Sequence, residues 1–151
     1  MEKLKIKKVL IAMDYDETSQ KVAEVGYSMA KAMNAETILL HVISEKMVYY
    51  SSYAFMRELR VDVMEDLKKT TQKFLDKAKT HLGDESIQTM LKEGSIAETI
   101  LKTAKDVHAD VIVMGSHSRK WLENIILGSE AEDVLKKTTK PLFIVPTRRE
   151  D

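Results

Sequence analysis

The sequence predicts an α/β protein: an open five-stranded parallel sheet with helices on both faces. Three observations predict it. Short apolar segments without strict alternation suit strands buried on both sides. Every link between successive segments carries the apolar stripe of an amphipathic helix, so the strands should run parallel under covered faces. Right-handed crossovers then give a doubly wound sheet, whose ligands bind beyond the carboxyl ends of the strands where the strand order reverses.

Val9 to Met13 is a continuous apolar run and reads as the first strand. A polar segment, Asp14 to Thr18, follows it with several candidate helix caps. Val22, Val25, Met29 and Met33 recur at spacings of three and four, which predicts a helix with these residues inward. Asn34 and Ala35 end it, and Thr37 to Ile43 is a second buried-type strand. From Ser44 to about Glu58 no clean period exists; Tyr49, Tyr50, Tyr53, Phe55 and Met56 fit a loop, a helix start or a contact surface. Met64, Leu67, Thr71, Phe74, Ala78 and Leu82 mark one face of a long helix that Gly83 can close in the left-handed conformation.

Ile87, Thr89 and Leu91 alternate with polar or flexible residues, as in a half-exposed edge strand. Gly94 and Ser95 open the next helix, with Ile96, Ile100, Ala104 and Val107 inward. Asp110 leads into the strand Val111 to Met114. A helix from Ser129 carries Ala131, Val134 and Leu135 inward, and Ser129 with Glu132 has capping-box spacing. Pro141 and Pro146 bracket the last strand, Leu142 to Val145, as at a sheet edge.

Composition narrows the function. A chain of 151 residues reads as one domain, 1–151, with 44% hydrophobic and 32% charged residues. Lys plus Arg and Asp plus Glu both number 24, which argues against a nucleic-acid binder. There is no cysteine, hence no disulfide, thiolate metal site or cysteine nucleophile. No apolar run approaches a membrane span, and MEKLKIKK lacks a signal peptide's apolar core, so a cytoplasmic protein is expected. His41, His81 and His108 lack metal-ligand spacing and read as structural. No nucleophile–base pair emerges, and no acidic cluster with clear metal spacing beyond Asp14 and Asp16.

The segment from Val111 to Val134 carries the chemistry. A buried strand breaks at Gly115; a loop ends at Gly128, and a helix starts at once. Glycine lets a ligand approach the backbone, and the free N–H groups of a helix start attract phosphate. The bland alternative is an ordinary strand–loop–helix connection with glycines at its corners. If the first and fourth strands are neighbours, Asp14 and this loop share a crevice. From the residues alone, Asp14 fits a helix cap or a solvated loop.

These residues resemble the nucleotide-binding branch of the universal stress protein family. The resemblance covers the whole chain: VLIAMD, LLHV, EGSIAETIL, and VIVMGSHSR followed by LGS and KPLFIVP. The family's phosphate motif is glycine, two residues, glycine, nine residues, glycine, then serine or threonine. Here Gly115, Ser116, His117 and Ser118 fill its first part, Arg119 to Leu127 are the nine, and Gly128 and Ser129 close it. Ser118 replaces the second glycine. If that position needs a positive φ, serine costs roughly 1–2 kcal/mol; if not, its hydroxyl remains a donor to phosphate. Relatives without the motif glycines tend not to bind ATP.

The resemblance implies a Rossmann-like, adenine nucleotide alpha hydrolase-like fold with strand order 3-2-1-4-5. It implies ATP or another adenine nucleotide with Mg2+ as ligand, slow or absent hydrolysis, and a homodimer paired through the last strand. By the same resemblance Ala12 and Val42 wall the adenine, and Asp14 contacts the adenosine. Gly115, Ser116, His117, Ser118 and Arg119 wrap ribose and phosphates, and Gly128, Ser129 and Glu130 supply N–H groups and a hydroxyl. Arg119 and Lys120 fit either phosphate charge or plain surface charge. Trp121 packs the loop or meets a partner. Glu130, Glu132 and Asp133 favour the helix start but oppose an anion there. The rival reading is a stress-protein dimer that binds no nucleotide and acts through protein partners. An enzyme such as a nucleotidyl transferase finds no catalytic motif in this sequence.

Overall fold

Five strands pair side by side in the order β3-β2-β1-β4-β5, all parallel. In chain order the elements are β1 (Lys8–Ala12), α1 (Ser19–Ala32), β2 (Glu36–Ser44), α2 (Arg57–Leu82), β3 (Gln88–Gly94), α3 (Ile96–Asp106), β4 (Val111–Gly115), α4 (Ser129–Lys137) and β5 (Leu142–Val145). This computed structural model describes residues 1–45, 57–116 and 127–147. The expected aromatic segment Tyr49 to Met56 lies outside the described residues.

Alternation along each central strand sorts the core into two halves. Val9, Ile11, Leu39, Val111 and Val113 point to one side, where Val22, Ala23 and Ala30 of α1 and Leu75 and Ala78 of α2 cover them. Leu10, Ile38, Leu40, Val42, Ile112 and Met114 point to the other, under Ala97, Ile100 and Ala104 of α3 and Ala131 and Val134 of α4. Both faces are therefore covered, as continuous apolar strands require. Each fully buried Leu or Ile stabilises the fold by about 1.5–3 kcal/mol before entropy is counted.

Two apolar stripes differ from the sequence expectation. The buried face of α1 is Val22, Ala23, Gly26 and Ala30, while Val25 and Met29 are half-buried and Met33 is 41% exposed. Small residues let the helix lie close to the sheet. A Cβ on Gly26 would stand 2.7 Å from Ile11 Cδ1, so the bulkier methionines are left at the margin. In α4, Ala131 and Val134 face inward, but Leu135 is 54% exposed. Successive helical residues turn by about 100°, and this short helix meets the core along one narrow line.

Three helix ends use the left-handed conformation. Asn34 (φ 54°), Gly83 (φ 72°) and His108 (φ 57°) follow α1, α2 and α3 in turn. Asp110 then ties the amino ends of β1 and β4 together: its Oδ2 accepts the N–H groups of Lys7 at 2.8 Å and Lys8 at 3.0 Å. No helix among the described residues is long and apolar enough to cross a membrane.

Asp84 links the turn after α2 to α1. Its carboxylate accepts from the Ser86 hydroxyl at 2.6 Å and the Ser86 N–H at 2.9 Å. It also accepts from Tyr27 Oη at 2.7 Å. The Ser86 hydroxyl, then Tyr27, then the Ser86 amide hold its pKa down to about 2, with a smaller push from the Lys31 charge. A carboxyl depressed in the folded state stabilises it above the unfolded value, and that contribution is lost as pH falls through about 2. Asp84→Asn should therefore lower the thermal midpoint at pH 7. The gap to the parent should narrow as pH drops from about 4 toward about 2, as followed by circular dichroism.

Candidate functional site

The strand order reverses at β1, which has β2 on one side and β4 on the other. The chain leaves β1 through Met13 and Asp14 and leaves β4 through Gly115 and Ser116. The last aligned pair, Ile11 with Val113, sets these two exits at the same level. The strand ends between which the sequence expects a crevice for Asp14 and the glycine loop are thus adjacent.

The β1 exit is held at several atoms. Met13 N–H donates to Leu40 O at 2.8 Å, and Met13 O accepts from His41 Nδ1 at 2.7 Å. Asp16 begins α1: its Oδ1 accepts the N–H groups of Thr18 at 2.9 Å and Ser19 at 3.1 Å, and the Thr18 hydroxyl at 2.6 Å. Asp16 thereby makes the capping bonds that the sequence left open among several residues. Asp14 lies exposed between these anchored neighbours. Tyr15 packs edge-on against Phe74, with ring centres 5.0 Å apart at 73°, and His41 stands 6.3 Å from both rings.

The β4 exit is knotted to β5 and α4 through one residue. Ser116 N–H donates to Val145 O at 2.9 Å, and Ser116 O accepts from Gly128 N–H at 2.9 Å. Its Oγ accepts from Thr147 N–H at 3.0 Å. Gly115 sits close beneath: a Cβ there would meet Thr147 Cγ2 at 2.9 Å and Val22 Cγ2 at 3.1 Å. Only a residue without a side chain fits the gap unless these neighbours move.

Helix α4 starts at Ser129 as expected, but the capping box does not form. Gly128 is the N-cap, with φ −68° and ψ 159°, and among the described residues no side chain caps the helix. Glu132 N–H makes the first backbone bond back, to Gly128 O at 2.9 Å. The amides of Ser129, Glu130 and Ala131 therefore precede the helical ladder. Glu132 turns along the helix instead, its Oε1 2.9 Å from Lys136 Nζ, and this hydrogen bond and charge raise the Lys136 pKa.

Ala12 and Val42 lie on the α3–α4 side of the sheet near its carboxyl edge, Val42 buried and Ala12 half-buried against the same cluster. Gly115, Ser116, Gly128, Ser129 and Glu130 gather at the β4 exit. The backbone groups of Ser116 and the N–H of Gly128 are engaged within the protein, so among these the helix-start amides at Ser129 and Glu130 are the ones aimed past the ladder. His117, Ser118, Arg119, Lys120 and Trp121 lie outside the described residues. No group of three His, Asp or Glu side chains among the described residues could hold a metal ion. Sequence reasoning missed Thr147, which carries no motif, and the bond from His41 to Met13.

A family model described as the universal stress protein family matches residues 5–146. The chain belongs to this family. Universal stress protein MJ0577 of Methanocaldococcus jannaschii is 33% identical, over 92% of this chain and 94% of its own. Universal stress protein YxiE of Bacillus subtilis is 32% identical, over 91% and 97%. The solved structure of MJ0577 superposes with a TM-score of 0.78 at 30% identity, covering 97% of this chain and 99% of that one. A universal stress protein solved in complex with cAMP shares the fold at a TM-score of 0.63 and 22% identity, over 95% and 98%. The sheet order and the family expected from the sequence are both found.

Ser116→Ala removes the acceptor for Thr147 N–H and leaves the other ties of the knot in place. Loss of a hydrogen bond of this kind costs about 0.5–1.5 kcal/mol. The variant should unfold at lower urea concentration than the parent with an unchanged slope, and an identical midpoint would show the Thr147 contact to be without weight.

Proposed function

We propose that the chain binds an adenine nucleotide across the carboxyl ends of β1 and β4, as a binding and signalling module. The observation that carries this reading is the pairing of β1 with β4, which sets the strand ends before Asp14 and before the glycine loop side by side. The donor set fits a nucleotide. First-turn amides of a helix whose N-cap is a glycine suit a phosphate, and the exposed Asp14 carboxylate suits the hydroxyls of a ribose. Apolar Ala12 and Val42 beside the crevice suit a base. The fold also holds an adenine nucleotide in the relative solved with cAMP.

In this reading His117, Ser118 and Arg119 complete the wrap over the phosphates. Mg2+ would be held mainly by phosphate oxygens and water, which is how that ion usually binds nucleotides. Glu130 places a negative charge in the first turn of α4, so the cation and Arg119 offset its repulsion of the phosphates. In this reading the chain is a binding module with slow or absent hydrolysis. The protein works as a homodimer in the same reading. Among the described residues β5 pairs only with β4, and Phe143 on it is 40% exposed, so an apolar edge remains to be covered by its two-fold mate.

Calorimetric titration with ATP and Mg2+ tests the site. The conformation at Gly128 is open to any residue, so Gly128→Val adds bulk without backbone strain. Its affinity should fall by roughly tenfold or more, equivalent to about 1.4 kcal/mol; unchanged affinity would move the site elsewhere. A parent protein that binds no adenine nucleotide would favour the partner-binding reading, with Ser118 closing the loop. For the dimer, Phe143→Asp should elute as a monomer from a sizing column, and an unchanged elution volume would remove β5 from the interface.

A further inference from the structure

We propose that His41 is a positioning residue for Asp14, acting through the Met13 carbonyl; the proposal rests on the nucleotide site described above. A carbonyl oxygen can only accept, so Nδ1 of His41 carries the proton of the 2.7 Å bond to Met13 O. That bond is buried, and His41 is 8% exposed. Its strand cannot drift, because β2 is paired with β1 on one side and β3 on the other. The ring itself is bounded by Phe74 and Tyr15.

The Met13 carbonyl and the Asp14 N–H belong to one planar peptide unit. Fixing the oxygen fixes the plane, and the plane sets where the Asp14 Cα and carboxylate begin. Met13 N–H is held as well, by Leu40 O, so the residue before Asp14 is bonded at both backbone groups. On the far side Asp16 is tied to the start of α1 through Thr18 and Ser19. Only Asp14 and Tyr15 span the gap, and Tyr15 is packed on Phe74. His41 occupies a strand position whose neighbours on the same face, Leu39 and Ile43, are apolar and buried. An apolar residue at 41 would satisfy packing but orphan the carbonyl. The peptide would then turn to find another donor, and Asp14 would turn with it.

The test compares variants that keep, misplace or delete the donor. In His41→Asn the amide nitrogen replaces Nδ1; in His41→Gln it reaches too far; in His41→Leu it is gone. ATP affinity is measured by calorimetry and thermal midpoint by circular dichroism, each also in an Asp14→Asn background. His41→Asn should bind within about threefold of the parent, and His41→Leu roughly tenfold more weakly, the scale of one net hydrogen bond. With Asp14→Asn already present, His41→Leu should cause no further loss. A lowered midpoint with parental affinity would make His41 purely structural and overturn the proposal. So would losses that simply add. Should His41→Leu fail to fold, the Asn and Gln variants carry the same test, and equal affinities for those two would overturn it. A parent that binds no ATP overturns the nucleotide reading itself and this proposal with it, whereas a binding parent with an indifferent His41 overturns the proposal alone.

Discussion

The double pairing of β1, with β2 on one side and β4 on the other, is the constraint on which the site depends. A parallel neighbour on each side means the chain must leave β1 in one direction and return to its other flank after β3. The helices entering those two crossovers lie on opposite faces, so the strand ends between them are not roofed by a connection. That opening is bounded by groups the sheet cannot move: Met13 locked to β2, and Gly115 and Ser116 locked to β5 and α4. Close packing of α1 through Gly26 onto Ile11 holds the strand from behind. The crevice is a consequence of topology first and of side chains second.

Its electrostatics follow from α4. A helix start carries about half a positive charge, and here the N-cap is a glycine, with no side chain of its own to bond the first amides. Glu132, which the sequence spacing pairs with Ser129, is drawn toward Lys136 instead. The negative charge left in the first turn is then mainly that of Glu130, and Asp14 follows the end of the neighbouring strand β1. An anion entering such a place benefits from directed amides while meeting carboxylates nearby. The arrangement suits a ligand that joins a phosphate end to a hydroxyl-rich, uncharged part.

The sheet was legible because buried parallel strands announce themselves as unbroken apolar runs. Leu142 to Val145 was readable to the residue, and Val9 to Met13 differed from β1 by one position at each end. The failures have a common cause: periodicity weighs large apolar side chains, whereas close helix–sheet packing selects small ones. Met33 and Leu135 counted toward a stripe and lie outside; Gly26 carried no weight and lies at the tightest contact. The site was legible where one strand end meets one glycine motif. It was not legible where contacts cross the chain. Thr147 meets Ser116 from 31 residues away, and His41 reaches Met13 from 28 residues away. No local spacing marks either pair. The capping box shows the reverse error, a spacing that fits while Gly128 takes the N-cap and Glu132 pairs with Lys136.

Amide chemical shifts of isotope-labelled protein, recorded during titration with ATP and Mg2+, test the nucleotide site most directly. The account predicts saturable shifts concentrated at Asp14, from Gly115 to Arg119 and from Gly128 to Glu130, with the amino-end segment around Lys7 and Asp110 unmoved. Shifts centred anywhere else, or a spectrum indifferent to the nucleotide, would contradict it.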